Sequence, residues 1–275
     1  MRTLALLPVR LWLLGFVAAP AAVLAAMALA RVREGVPPFT LGFSLAALGG
    51  LADPFYLGGL AGSLGMAAAA ALGCLVLGYP MALAIARTEA RRRGLLLVLV
   101  MLPFWSGLLL RLVAWIGILR DEGWLNAALL AIGVIDAPLP LLHSEGAMLL
   151  GLVYCYLPFL ILPVVARLEA ADRRVEQAAA DLGARPWQVF RHVTWRLSLP
   201  GVWVGLGLVF VPVCGEYVIP ELLGPVGFPT LGRMIWDVFF HDGDWPQAAA
   251  LALALLVLLL GPVVALRGRG TGGIR

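Results

Sequence analysis

The side chains that could carry acid–base, nucleophilic or metal chemistry are few in this sequence, and their spacing favours none of these reactions. All 20 residues counted as Lys or Arg are Arg. A Walker A loop needs a Lys for its phosphates, so the chain is not itself a P-loop ATPase. His143, His192 and His241 lack the spacing of metal ligands, and no nucleophile–base pair stands out in the sequence. We therefore predict no catalytic residue, no metal site and no cofactor bound by this chain, which is not an enzyme.

Two ionisable residues, Arg111 and Glu216, lie well inside apolar segments. Charged side chains there are costly and usually face a bundle interior or water. Glu216 suits a counter-charge for a cationic amine, and equally a structural pair with Arg111 or exposure at an outer mouth. Aromatic rings in the same segments could hold an ammonium group by cation–π contact, or simply pack the bundle. The candidates for a solute pathway are Glu216, Tyr217, Trp105, Arg111 and Tyr154.

The composition indicates a membrane protein. Of the 275 residues, 62% are hydrophobic and 13% are charged, whereas soluble domains have about 25% charged residues. The three cysteines lie in apolar runs without paired spacing, which favours packing over disulfides. The net charge of +4 is not a nucleic-acid footprint, because the Arg residues are confined to particular connectors.

Six apolar segments are long enough to cross a bilayer, at 1.5 Å per residue and about 30 Å of hydrocarbon. We predict an all-α integral membrane protein with six transmembrane helices in a single domain over residues 1–275. The predicted spans are Leu11–Ala30, Leu57–Ala86, Gly94–Leu119, Ala147–Ala166, Pro200–Pro220 and Gln247–Leu266.

The distribution of Arg predicts the orientation, since cytoplasmic loops carry an excess of basic residues. Fifteen of the 20 Arg residues lie in the two termini, in the connector Arg87–Arg93 and in the connector Arg167–Arg196. The terminal ones are Arg2, Arg10, Arg267, Arg269 and Arg275. Both termini and these two connectors are therefore expected to be cytoplasmic.

The segment Leu168–Pro200 is the most polar part of the chain and must form a helical pair. Apolar residues from Leu168 to Leu182 recur at spacings of three or four, as on one face of a helix. Gly183 then ends that helix, and Pro186 begins a second one, because a first-turn proline loses no hydrogen bond. A helix–glycine–helix element with apolar faces suits docking in a groove of a partner; the alternative is a solvated loop packed on its own protein.

This segment resembles the EAA loop of permease subunits in bacterial ABC importers. That pattern is Glu-Ala-Ala, three residues, Gly, nine residues, an aliphatic residue, one residue and Leu-Pro. Gly183 aligns with its glycine, and Val193 with its aliphatic residue. Gln177 stands where the pattern has Glu, with Glu176 beside it, and Trp195 and Arg196 replace Leu-Pro. Further segments look like permeases of the spermidine/putrescine type, nearest the putrescine branch: MLPFWSGLLLRLVAWIGIL (from Met101), GLVYCYLPFLILP (from Gly151) and GEYVIPELLG (from Gly215).

The resemblance implies a type I importer (MetI-like) fold in the bacterial inner membrane. It implies that this chain forms half of a translocation pathway for polyamines, beside a second and different permease subunit. Each permease would insert its loop into one of two cytoplasmic ABC ATPase subunits, which bind ATP and Mg, and a periplasmic binding protein would deliver the solute. The residues implied in ATPase coupling are Glu176, Gln177, Ala178, Ala179, Asp181, Gly183 and Pro186.

Other interpretations stay open on the sequence. The same machine could import another small solute. A stand-alone secondary transporter or channel would need paired broken helices and midplane carboxylates, of which only Glu216 is present.

Overall fold

The computed structural model describes residues 7–33 and 35–270, except for the side chains of residues 7, 8, 10, 13 and 262–270. The fold is almost entirely helical. The terminal arginines that were predicted to be cytoplasmic lie outside the described residues or side chains: Arg2, Arg10, Arg267, Arg269 and Arg275. The helices are α1 (Leu7–Ala28), α2 (Ala46–Gly50), α3 (Pro54–Arg87), α4 (Ala90–Trp105), α5 (Leu108–Leu119), α6 (Trp124–Ala131), α7 (Glu145–Ala170), α8 (Arg174–Asp181), α9 (Pro186–Val189), α10 (Trp195–Cys214), α11 (Val218–Leu223), α12 (Leu231–Phe240) and α13 (Trp245–Gly270). A π-helical turn, Phe190–Thr194, joins α9 to α10.

The described residues include three helices that are long and apolar enough to cross a membrane: Pro54–Arg87, Glu145–Ala170 and Pro186–Cys214. The pair formed by Ala90–Trp105 and Leu108–Ala131 passes the same test as one span, but it is bent by 87°. Shorter apolar helices cover Leu14–Ala28 and Trp245–Gly261, which overlap the first and sixth predicted spans. The count of six spans therefore stays a prediction.

Two of the predicted spans differ from the structure. The third was expected to run unbroken over Gly94–Leu119, but it is interrupted at Ser106 and Gly107, whose backbones are extended. The hydroxyl of Ser106 donates to the carbonyl of Pro103 at 2.7 Å, which helps to end α4. The fifth was expected to reach Pro220, but its helix ends at Cys214.

The chain forms two compact units, one made of the residues up to Gly62 and from Pro229 onward, the other of Ser63–Phe228. In the first unit α1 packs on α13, with a core of small buried residues including Ala28 and Ala250. The two-residue strands β1 (Arg31–Val32) and β2 (Phe39–Thr40) form an antiparallel pair between α1 and α2.

The second unit is built on the packing of α7 against α10. Two glycines four residues apart on α10, Gly201 and Gly205, face the backbone of α7. A Cβ at Gly201 would lie 2.6 Å from the carbonyl oxygen of Pro163, and one at Gly205 would lie 3.1 Å from Cα of Leu160. Small residues at this spacing let membrane helices approach closely. This contact fixes α10, and with it the polar segment that α10 continues.

Candidate functional site

Residues 171–194 form a helical hairpin, here called the Gly183 hairpin, whose first arm is α8. The first helix of this segment was expected to include Leu168. In the structure Leu168–Ala170 belongs to α7, and the helix is interrupted at Ala171–Arg173. Asp172 causes the restart, because its Oδ1 accepts the backbone N–H of Arg174 at 2.9 Å. An aspartate that bonds to the backbone two residues on favours a turn over a continuing helix.

Gly183 ends the first arm in the predicted way. Its φ is +87°, in the left-handed region. The N–H of Ala184 bonds to the carbonyl of Ala179 at 3.1 Å, and the N–H of Gly183 bonds to that of Ala180 at 2.9 Å. This pair of bonds is the Schellman motif, which reverses the chain at a helix end.

The second arm begins at Pro186, as predicted, but it does not end as a separate short helix. The Gln188 side chain accepts the N–H of Arg185 at 2.8 Å and caps the start of the arm. From there α9, the π turn and α10 form one helix over Pro186–Cys214. The second arm is therefore continuous with a membrane-spanning helix.

The second arm is held to α3 by aromatic side chains. Tyr79 makes edge contacts with the rings of Phe190 and Trp195, at centroid distances of 6.0 and 4.9 Å. Its hydroxyl lies 3.0 Å from Oγ of Ser198. Trp195, one of the departures from the expected pattern, is thus a packing residue of this chain.

The hairpin has an inner face that is bonded to its own chain. Glu176 lies on it: its Oε1 accepts the hydroxyl of Thr194 at 2.5 Å, and its Oε2 lies 3.7 Å from Nη2 of Arg87. Arg173 donates to the carbonyl oxygen of Ala86. Arg87, Thr194 and Tyr79 were not among the predicted site residues. Arg87 and Tyr79 are distant from the hairpin in sequence, and Thr194 lies within it but outside the motif positions.

The outer face of the hairpin, defined by Val175, Leu182 and Trp187, is exposed. Their exposed fractions are 48%, 90% and 65%. The remaining predicted coupling residues are exposed or half-buried, in contrast to the inward Glu176: Gln177, Ala178, Asp181, Gly183 and Pro186 are exposed, and Ala179 is half-buried. An apolar face of this kind on a polar segment marks an interaction surface.

Two of the five predicted pathway residues line the same clefts. Arg111 and Tyr154 come together on open clefts between α3, α4, α5 and α7, with volumes of about 440 and 260 Å³, and Arg111 also lines a third of about 620 Å³. The guanidinium of Arg111 lies 5.2 Å from the centroid of Phe104. Within the described part of the chain, no carboxylate pairs with Arg111.

Glu216 is bonded to Tyr156, which lines the third of these clefts together with Arg111. It was expected inside the fifth span but lies between α10 and α11, and the structure does not pair it with Arg111. The hydroxyl of Tyr156 donates to its Oε2 at 2.6 Å, and its Oε1 accepts the N–H of Val218 at 3.0 Å. Tyr217 follows it directly, at the start of α11, and Trp105 ends α4 with 76% of its surface exposed.

This combination of long apolar helices and a glycine hairpin on a span matches a known class. Residues 12–266 match the family described as "Binding-protein-dependent transport system inner membrane component". The chain belongs to this family.

Among its relatives, the "Spermidine/putrescine transport system permease protein PotB" of Haemophilus influenzae is 35% identical over 248 residues, which cover 90% of this chain and 86% of the relative. The protein of the same name from Escherichia coli K12 is 38% identical over 209 residues, 76% of each chain. A solved bacterial ABC transporter involved in the import of the acidic polysaccharide alginate contains a similar chain, with a TM-score of 0.70, 17% identity, and coverage of 99% of this chain and 96% of that one. This likeness extends over the whole fold.

Proposed function

We propose that this protein is a permease subunit of an ATP-driven importer and forms half of the pathway for a polyamine. The observation that most directly supports this proposal is the exposed outer face of the Gly183 hairpin, in a chain that belongs to the binding-protein-dependent transport family. Relatives 35–38% identical over most of the chain, named for spermidine and putrescine, support the solute class.

The hairpin is the docking element for a cytoplasmic ATPase. Leu182 and Trp187 would enter a groove of that subunit, since exposed apolar anchors on a helical element are the usual content of such contacts. ATP and Mg would bind to the ATPase, of which the assembly holds two copies. A second, different permease subunit would complete the pathway, and a periplasmic binding protein would deliver the solute.

A second candidate, suggested by Arg111, is import of a solute with an anionic group. Its guanidinium lies on open clefts without a carboxylate partner among the described residues. An arginine there repels a polycation and suits a carboxylate or phosphate.

The test is reconstitution of the whole complex in liposomes with its ATPase, its second permease and its binding protein. We expect ATP hydrolysis and uptake to rise when the binding protein carries putrescine or spermidine, and not when it is empty. Stimulation by an anionic solute alone would favour the second candidate. Uptake by this chain without nucleotide would refute both.

A further inference from the structure

The inner face of the hairpin is built from contacts between segments that are distant in sequence. Glu176 lies on the first arm, Thr194 on the π turn of the second arm, and Arg87 at the last position of α3. Thr194 is 1% exposed, so its hydroxyl has little access to water. A buried hydroxyl needs a hydrogen-bond partner, and the Glu176 carboxylate supplies a charged one.

The same face attaches the hairpin to α3 in two further ways. Arg87 lies 3.7 Å from the second oxygen of Glu176. Arg173 donates to the carbonyl of Ala86, one of the carbonyls that a helix end leaves without an internal partner. The hairpin is thus tied to two long helices, to α10 by chain continuity and to α3 by these polar contacts.

The space beside these groups leaves no room for a ligand. The cavity lined by Arg87, Arg173, Glu176 and Thr194 measures about 20 Å³, roughly the room that one water needs. The polar groups here therefore act on one another.

We propose that Glu176 is a positioning residue: its bond to Thr194 joins the two arms of the hairpin, and its contact with Arg87 joins them to the end of α3, so that the three move as one body. A displacement of the outer face is then passed both to α10 and to α3. In this arrangement Glu176 does not contact the ATPase, although its sequence position resembles a coupling motif; the neighbouring exposed Gln177 is free to do so. The inference rests on the proposed function.

The experiment compares Thr194→Val with Thr194→Ser in the complete reconstituted complex. Valine keeps the size of the threonine side chain and removes the hydroxyl, whereas serine keeps the hydroxyl and removes the methyl group. The readout is the number of polyamine molecules imported per ATP hydrolysed, measured beside the amount of ATPase retained in the purified complex.

We expect Thr194→Val to retain the ATPase and to import roughly tenfold less solute per ATP, because the two arms lose one hydrogen bond to a charged group and no longer move together. Thr194→Ser should behave as wild type. Glu176→Ala should be at least as defective, because it also removes the contact with Arg87. The double variant Glu176→Ala/Thr194→Val should be no worse than Glu176→Ala alone, since the Thr194 hydroxyl has then already lost its partner.

A Thr194→Val complex with the wild-type ratio would overturn the inference, and so would a Thr194→Ser complex as defective as the valine variant. Additive defects in the double variant would also overturn it, because the two residues would then act separately. If the wild-type complex imports no polyamine, the proposed function fails before these comparisons are reached.

Discussion

At the scale of single residues, Glu216 combines a charge with a full set of local contacts. Its two oxygens are engaged by the Tyr156 hydroxyl and by the N–H of Val218 at the start of α11. A carboxylate used in this way holds the chain reversal after α10, and it is less available to a passing amine.

We therefore expect Glu216→Gln to import at close to the wild-type rate. The amide keeps an oxygen for Val218 and can donate to the Tyr156 hydroxyl. Uptake and thermal stability of the two complexes measure this. Glu216→Leu serves as the comparison that loses both contacts and should lose stability. A Gln variant that is stable but inactive would restore the counter-charge role.

Gly183 offers a test of backbone conformation apart from size. Its φ is +87°, and apart from its two chain neighbours no described residue lies within 4 Å of a Cβ placed there. Gly183→Ala should therefore destabilise the hairpin by about 1 kcal/mol through strain. Gly183→Asn should be milder, because Asn tolerates the left-handed region better.

Hydrogen exchange of the backbone over residues 174–189 would measure the two Gly183 variants. If the Asn variant exchanges faster than the Ala variant, the size of the added side chain affects the hairpin more than the backbone angle φ does.

The sequence predicted the glycine turn but not the direction of the Glu176 side chain. Gly183 and Pro186 act through their own backbones, so their positions suffice. Glu176 is directed inward by Thr194 and Arg87, which belong to segments that only the tertiary fold brings near. The same limit explains why Tyr156 was not recognised as the partner of Glu216.

At the scale of elements, hydropathy located the apolar segments but not their breaks. The interruption at Ser106 and Gly107 lies within a run that reads as one span. Hydropathy sums side chains over a window, whereas the break depends on two extended backbone positions and one side-chain hydrogen bond. The π turn was missed for a similar reason, since its residues also suit an α-helix.

The contact between α7 and α10 gives a prediction about packing. Gly201→Ala should lower stability by about 1–3 kcal/mol, because its methyl group would overlap the carbonyl of Pro163. Gly207→Ala on the same helix adds its methyl group to open space and should be nearly neutral. Thermal unfolding of the purified complexes would compare them. Equal losses in both variants would contradict the close approach of the two helices.

At the scale of the whole molecule, composition was enough to predict a helical membrane protein. The importer class was inferred from the resemblance of the segment Leu168–Pro200, and the family match confirms that class. The orientation and the six-span count stay predictions. Composition indicates which segments prefer hydrocarbon. It does not predict the two compact units, because these depend on which helices pack together.

Docking of the ATPase can be separated from folding of the permease. Leu182→Arg should release the ATPase, because it places a charge on the apolar outer face of the hairpin. Leu182 is 90% exposed, so its replacement should cost this chain little stability. Val226→Arg is a matched control, since Val226 is 89% exposed and lies in a different connector. Co-purification with a tagged permease would measure retention. Equal retention in both variants would argue against docking through the outer face.

The unbroken helix Pro186–Cys214 has 29 residues and therefore measures about 43 Å at 1.5 Å per residue. Trp187 lies at one end of this helix, and Gly201 and Gly205, which contact α7, lie further along it. A force on Trp187 therefore reaches the contact with α7 along a single helix, with the π turn Phe190–Thr194 and Pro200 as the places where that helix can bend. The number of residues between Trp187 and Gly201 sets the angle between them around the helix axis. Inserting or deleting one residue would therefore turn Trp187 by about 100°.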